Sequence, residues 1–341
     1  MPELIQGENS IREIAAKVIN AGYSSVFLIH GQHFKEQNDY NILQGLTVNH
    51  FIKSGVNADE PEAKMAFHQF LQHKEQAIVA VGGGSVIDIA KYIIYRLAET
   101  SSPIPFFAAV PTTAGSGSEA THFAVIYQDK QKISFVHPSL LPELVILDPN
   151  LTCSLSSYQT AVSGIDVLAQ AVESYWNINA TGESKQFAVE SIFLWKDFFS
   201  KAVDSPDEIT RERMLLAAHL AGKAINITRT TGPHALSYYL TANHNIAHGQ
   251  AVSIFLPVFF LYNKPLTDLC RLLQIKNEED AGDMIREKMK RAGLAVNFSE
   301  LGIDKESIIE PLLNGVNEER FNNNPQKFDP EKLRQLILKY L

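Results

Sequence analysis

Short apolar runs alternate with helix-period segments through the first half of this 341-residue chain, and the alternation stops at Asp148-Pro149-Asn150. No other feature restricts the fold as strongly. Ser25–His30 (SVFLIH), Ala77–Val81 (AIVAV) and Phe106–Val110 are short and apolar and run into turn residues, so they predict buried strands. Glu62–Gln76 and Ser85–Glu99 carry apolar residues at helical spacing and predict the helices between those strands. Strands separated by helices pair in parallel with right-handed crossovers, which gives an open α/β sheet. From Ser156 onward the pattern is helical alone, with helices expected at 157–178, 185–202, 208–225, 233–243, 249–262, 264–272, 278–292, 305–314 and 330–340. The expected organisation is a Rossmann-like α/β domain over residues 1–152 and an all-helical domain over 153–341.

Hydrophobic residues make up 45% of the chain and charged residues 20%, ordinary for a globular protein. The net charge of -8 argues against nucleic-acid or anionic-membrane partners, which reward a basic surface. Cys153 and Cys270 lie far apart and outside any CxxC pattern. They predict neither a disulfide framework nor a thiolate zinc site, and a cytoplasmic location follows as the expectation. Met1 is not followed by a basic stretch and an apolar core, and no apolar run reaches the ~18 residues of a membrane span.

Two loops suggest ligand chemistry. Ala77–Val81 runs into Gly82-Gly83-Gly84-Ser85 and a helix containing Asp88 and Lys91. Glycines let backbone approach a phosphate closely, and the helix N-terminus behind them offers free N–H groups. The spacing is not GxGxxG, and a tight packing turn would have the same composition. The strand after it ends in Pro111-Thr112-Thr113-Ala114-Gly115-Ser116-Gly117-Ser118-Glu119, a hydroxyl-rich loop at the carboxyl end of a parallel strand, where α/β ligands bind.

A third cluster suggests a metal. Asp166 and Gln170 share a face of a predicted helix, with Glu173 nearby. His234 follows much later, and His248 stands fourteen residues beyond it in an Ala-His-Gly turn that opens an apolar helix. One carboxylate and two imidazoles suit Zn²⁺ or Fe²⁺, although isolated histidines more often serve the core or the surface.

These residues resemble the iron-containing (group III) alcohol dehydrogenase family. The resemblance is carried by GGGSVIDIAK (82–91), PTTAGSGSE (111–119), ILDPNL (146–151), GIDVLAQAVESYW (164–176), HALSYYL with AHG (234–249) and the NNNP stretch (322–325). It implies NAD or NADP in the cleft between an α/β and a helical domain, a divalent metal (Fe²⁺ or Zn²⁺) beneath the nicotinamide, and a homodimer. Transferred to this chain, Gly82, Gly83, Gly84 and Ser85 would cradle the pyrophosphate. Asp88, Thr112, Thr113, Ser116 and Ser118 would line the ribose and nicotinamide, and Asp166, His234 and His248 would hold the metal.

Three positions depart from the family pattern. Gln170 replaces its usual second histidine ligand, and an amide oxygen is a weaker ligand than imidazole. Tyr238 stands where a further histidine often lies, and a phenol can still donate to substrate oxygen. Gly31 follows the first strand where many members place the Asp that accepts the 2′-hydroxyl of NAD, leaving room for the 2′-phosphate of NADP. The implied activity is interconversion of a small alcohol and aldehyde. Gln170, HALSY and the block Gly222–Thr231, with Lys223 and Arg229, resemble the phosphonoacetaldehyde reductase branch, so an anionic aldehyde is the expected substrate. Tyr238 and His244 are the expected proton carriers, with His244 expected in a loop. A dehydroquinate synthase-like lyase and an inactive nucleotide-binding relative are the alternatives.

Overall fold

The central strands of the first half feed two apolar cores at once, one on each face of a single sheet. In the computed structural model, which describes residues 2–32, 34, 40–73, 75–129 and 131–341, the chain divides into two compact units, Met1–Ser154 and Leu155–Leu341. The strands of the first unit are β1 (Glu3–Gln6), β2 (Ser25–Gly31), β3 (Thr47–Lys53), β4 (Ala77–Gly82), β5 (Phe106–Pro111), β6 (Phe123–Gln128), β7 (Gln131–Val136) and β8 (Leu144–Leu147). Six of them form a parallel sheet in the order β1-β8-β5-β4-β2-β3, while β6 and β7 pair as an antiparallel ribbon.

Successive side chains on a strand point to opposite faces. Phe27, Ile29, Ile78, Ala80, Phe107 and Ala109 therefore enter one core, and Val26, Leu28, Ala77, Val79, Val81, Ala108 and Val110 enter the other. Helices α2 (Glu60–His73) and α3 (Gly84–Glu99) cover the first face, and α1 (Ile14–Asn20) covers the second. Burial on both faces is why these strands read as unbroken apolar runs. The other strands gave no such signal: β1 is mostly exposed, β8 is only four residues long, and β3 and β6 expose part of each face.

The sheet order also locates a crevice. After β2 the chain goes outward to β3, whereas after β4 it passes through α3 to β5 on the opposite side. The connections thus diverge at the carboxyl ends of β2 and β4, the point where open α/β sheets take ligands.

Leu155–Leu341 contains α4 (Ser157–Trp176), α5 (Gly182–Asp204), α6 (Glu208–Thr228), α7 (Gly232–His244), α8 (His248–Ser253), α9 (Leu256–Tyr262), α10 (Thr267–Leu273), α11 (Glu278–Arg291), α12 (Lys305–Asn314), α13 (Glu318–Phe321) and α14 (Pro330–Tyr340). Capping boxes at Ser156/Gln159, Thr181/Ser184 and Asp207/Thr210 start the first three, and the Thr181 box begins α5 three residues before its expected start. The single helix expected at 249–262 is two. Pro257 has no N–H to offer Ser253 and its ring would clash there, so the helix breaks and Pro257 sits in the first turn of α9. Among the described residues, no helix is long and apolar enough to cross a membrane.

Candidate metal centre and nucleotide loops

The two loops of the first unit meet. A Cβ on Gly84 would come within 2.5 Å of Ser116 Oγ, and one on Gly83 would touch Thr113 at 3.4 Å. Thr112 N donates to Gly82 O at 3.0 Å. Gly82 is required by the turn itself, because a Cβ there would lie 2.4 Å from Val86 of the following helix. Gly83 precedes the first residue of α3, so the free N–H groups of that helix open at this loop. Gly31 ends the neighbouring strand, and among the described residues nothing lies within 4 Å of where its side chain would begin.

Asp88 faces the protein. Its Oδ1 accepts from Ser118 Oγ at 2.7 Å, and burial pushes its carboxyl up while Lys91 and Ser118 pull it back. Lys91 is fully buried, and its ammonium donates to the carbonyls of Ser118, Thr121 and Phe123 and to Thr121 Oγ1 at 2.5–2.9 Å. That charge would be costly to bury without such partners. Asp88 and Lys91 thereby shape the threonine loop from behind.

In the second unit Asp166, His234 and His248 converge, each offering one ligand atom, all within 4.8 Å of one another. Asp166 lies on α4, His234 in the first turn of α7, and His248 at the first position of α8. Asp166 Oδ1 and His234 Nε2 are 3.4 Å apart. That is the edge of a tetrahedron with metal bonds of about 2.1 Å. The His234 and His248 rings meet edge to face at 5.3 Å. The donor set, one hard oxygen and two imidazole nitrogens, fits a first-row divalent cation.

Gln170 Nε2 donates to Asp166 Oδ2 at 2.9 Å, holding the carboxylate so that Oδ1 faces His234. Its amide nitrogen has no lone pair to give, so only Oε1 could act as a ligand. Burial alone would push the His234 imidazole down, but Glu173 and Asp166 outweigh it and hold the ring up at about 10. A divalent cation at Nε2 would take the place of that proton.

The remaining expected residues divide. Tyr238, one turn after His234, stacks beside His248 at 6.3 Å. His244 is not in a loop: it ends α7 and is exposed beside Tyr239. Lys223 sets its ammonium over the Phe187 ring at 3.9 Å. Arg229, close to His234 in sequence, is not close to Asp166 along the fold. Its carbonyl accepts from Asn177 Nδ2 at 3.1 Å, and Asn177 caps the far end of α4, about three turns or about 16 Å from Asp166. From Arg229 an extended strap through Thr230 and Thr231 leads to the helix that carries His234.

Sequence reasoning noted Glu173 only as a neighbour of Asp166 and gave no individual role to it, to Thr231 or to Trp176. Glu173 is buried and receives His234 Nδ1, while Trp176 Nε1 donates to Thr231 Oγ1 at 2.9 Å. The available signal was Glu173's helical spacing from Asp166. The NNNP stretch is also structural: Asn323 Nδ2 donates to Thr230 O, and Asn324 pairs reciprocally with Asn263.

A parallel α/β unit with paired glycine and threonine loops, followed by a helical unit holding a carboxylate–imidazole triad, defines a class of two-unit metalloenzyme. Residues 2–149 match the iron-containing alcohol dehydrogenase family, and residues 160–341 match the C-terminal family of Fe-containing alcohol dehydrogenases. The chain belongs to the iron-containing alcohol dehydrogenases, oxidoreductases acting on CH–OH groups. It is 33% identical over 247 residues to probable alcohol dehydrogenase EutG of Escherichia coli (strain K12), a match covering 66% of this chain and 62% of that protein. It is 29% identical over 324 residues to phosphonoacetaldehyde reductase of Streptomyces viridochromogenes, covering 84% and 81%. The crystal structure of sulfoacetaldehyde reductase from Bifidobacterium kashiwanohense in complex with NAD+ superposes with a TM-score of 0.91 at 26% identity, covering 99% of this chain and 96% of that one.

Proposed function

We propose that this chain is a metal-dependent, NAD(P)-linked aldehyde reductase and alcohol dehydrogenase that reduces a two-carbon aldehyde bearing an oxyanion, with phosphonoacetaldehyde giving 2-hydroxyethylphosphonate. The convergence of Asp166, His234 and His248 carries the redox assignment. The substrate class is supported by two relatives whose names specify phosphonoacetaldehyde and sulfoacetaldehyde. The same proposal includes a cytoplasmic homodimer.

When bound, Fe²⁺ or Zn²⁺ on the triad would polarise the aldehyde carbonyl, and a reduced nicotinamide would supply hydride. Gly82, Gly83, Gly84 and Ser85 would receive the pyrophosphate at the start of α3. Thr112, Thr113 and Ser116 would line the ribose and nicotinamide, with Asp88 and Ser118 bonded to each other in the same loop region. Gly31, which has no side chain to fill the space beside the ribose, would leave room for the 2′-phosphate of NADP. Gln170 orients Asp166 through its amide hydrogen. Tyr238, beside His248, hands a proton to the product oxygen, and exposed His244 exchanges protons with water. Arg229 and Lys223, in the block that leads to His234, would offer cationic groups to the substrate's oxyanion.

The test compares kcat/KM for phosphonoacetaldehyde and butanal, with NADH and with NADPH, before and after chelation. The expected result is metal-dependent turnover favouring the phosphonate by at least tenfold. Equal efficiency with butanal removes the anionic substrate and leaves the redox assignment standing. Undiminished turnover after complete metal removal overturns the assignment itself.

A further inference from the structure

Glu173 lies two turns beyond Asp166 on the same face of α4 and is fully buried. Its Oε2 is hydrogen-bonded to His234 Nδ1. Its Oε1 accepts from Thr231 N at 2.8 Å, Thr231 Oγ1 at 3.0 Å and His234 N at 3.4 Å. An ionised carboxylate only accepts, so Nδ1 must carry the hydrogen. Of the two ring nitrogens, only Nε2 can then present a lone pair, and Nε2 is the atom that faces Asp166 Oδ1 at 3.4 Å.

We propose that Glu173 is a positioning residue for the metal, fixing the tautomer and ring plane of His234 while capping the helix that carries it. The inference rests on the metal assignment proposed above and extends it to a residue that need not touch the ion. Helix α7 receives no side-chain cap from Thr231, its own N-cap residue. The first N–H groups of a helix have no intrahelical partners, and a negative group there also meets the favourable end of the dipole. Glu173 supplies both from a different helix. Because one carboxylate holds the backbone and the imidazole of the same residue, the ring cannot turn without breaking a buried charge-assisted hydrogen bond.

Glu173→Gln keeps the shape and changes the chemistry. If the amide oxygen takes the N–H groups of Thr231 and His234, the NH₂ faces Nδ1, which must then accept. The ring proton moves to Nε2, the wrong tautomer for a ligand. Protein stripped of metal is titrated with Co²⁺, following its visible absorption, and its metal-free melting temperature is recorded separately. The expected result is 10- to 100-fold weaker Co²⁺ binding by E173Q, the range found when such a carboxylate–histidine contact is removed. Trp176→Phe disturbs the same strap at Thr231 without touching Glu173, and should lower the melting temperature while leaving Co²⁺ affinity within about threefold.

Should E173Q not fold, Glu173→Asp retains the charge but is one methylene too short to hold ring and backbone together, and is expected to weaken Co²⁺ binding likewise. Wild-type protein that takes up no Co²⁺ overturns the metal assignment. Wild-type binding matched by a folded E173Q or E173D overturns only the role of Glu173.

Discussion

Gly249 lies so close to Val162 that a Cβ on it would fall 2.0 Å from the Val162 carbonyl oxygen. Gly249 follows the ligand His248, and Val162 is one turn before Asp166 on α4. This backbone contact therefore sets how near the third ligand can come to the first.

Gly249→Ala should separate α8 from α4. Overpacking of this kind costs about 1–3 kcal/mol. The expected outcome is a lower melting temperature together with weaker metal retention, read by calorimetry and by elemental analysis of dialysed protein. A variant that melts and retains metal like the wild type would show that the contact relaxes without moving His248.

Arg229 adopts φ 67 and ψ 179, a region that essentially only glycine occupies at no penalty. Asn177, bonded to the carbonyls of Thr228 and Arg229, pins it there. Burial, and then the like charge of Arg320, lower its guanidinium to about 10, which leaves it cationic at neutral pH. Replacing the side chain by Gly or by Ala removes the same charge, so the difference between the two isolates the backbone. Arg229→Gly should be more stable than Arg229→Ala by about 1–2 kcal/mol in urea unfolding. Equal stabilities would mean that the strap readjusts.

The two thiols should react very differently. Burial, reinforced by Glu278 and Asp280, pushes Cys270 up to about 11, whereas Cys153 is exposed. A raised pKa disfavours the thiolate at every pH below it, so at pH 8 only about one Cys270 in a thousand is ionised. A disulfide reagent added to native protein at pH 8 should modify one thiol per chain quickly. The second should react only in denaturant, or about tenfold faster for each unit of rising pH. Two equally fast thiols in the native state would contradict the burial of Cys270.

Legibility followed the physical origin of each signal. Ser25–Gly31, Ala77–Gly82 and Phe106–Pro111 were readable because burial on both faces demands apolar residues throughout. The strands Glu3–Gln6 and Phe123–Gln128, and the four-residue helix Glu318–Phe321, were not, since partial exposure and short length leave no periodicity. The break before Pro257 was readable in principle and was overridden by the apolar run around it. Asp166, His234 and His248 were candidates from their donor chemistry and were joined into one ligand set by the motif resemblance, while nothing local to them states that they meet.

The order of residues alone determined the α/β-then-helical division, the two ligand loops and the chemical types of the metal donors, because periodicity and side-chain chemistry are local properties. Tertiary structure decided which of those groups share a site. It brought Glu173 behind His234 and Gln170 against Asp166, and it tied the Arg229 backbone to Asn177 at the C-terminal end of α4. A helix advances about 1.5 Å per residue and an extended strap about 3.3 Å, so separation in sequence and separation in space part within a few residues.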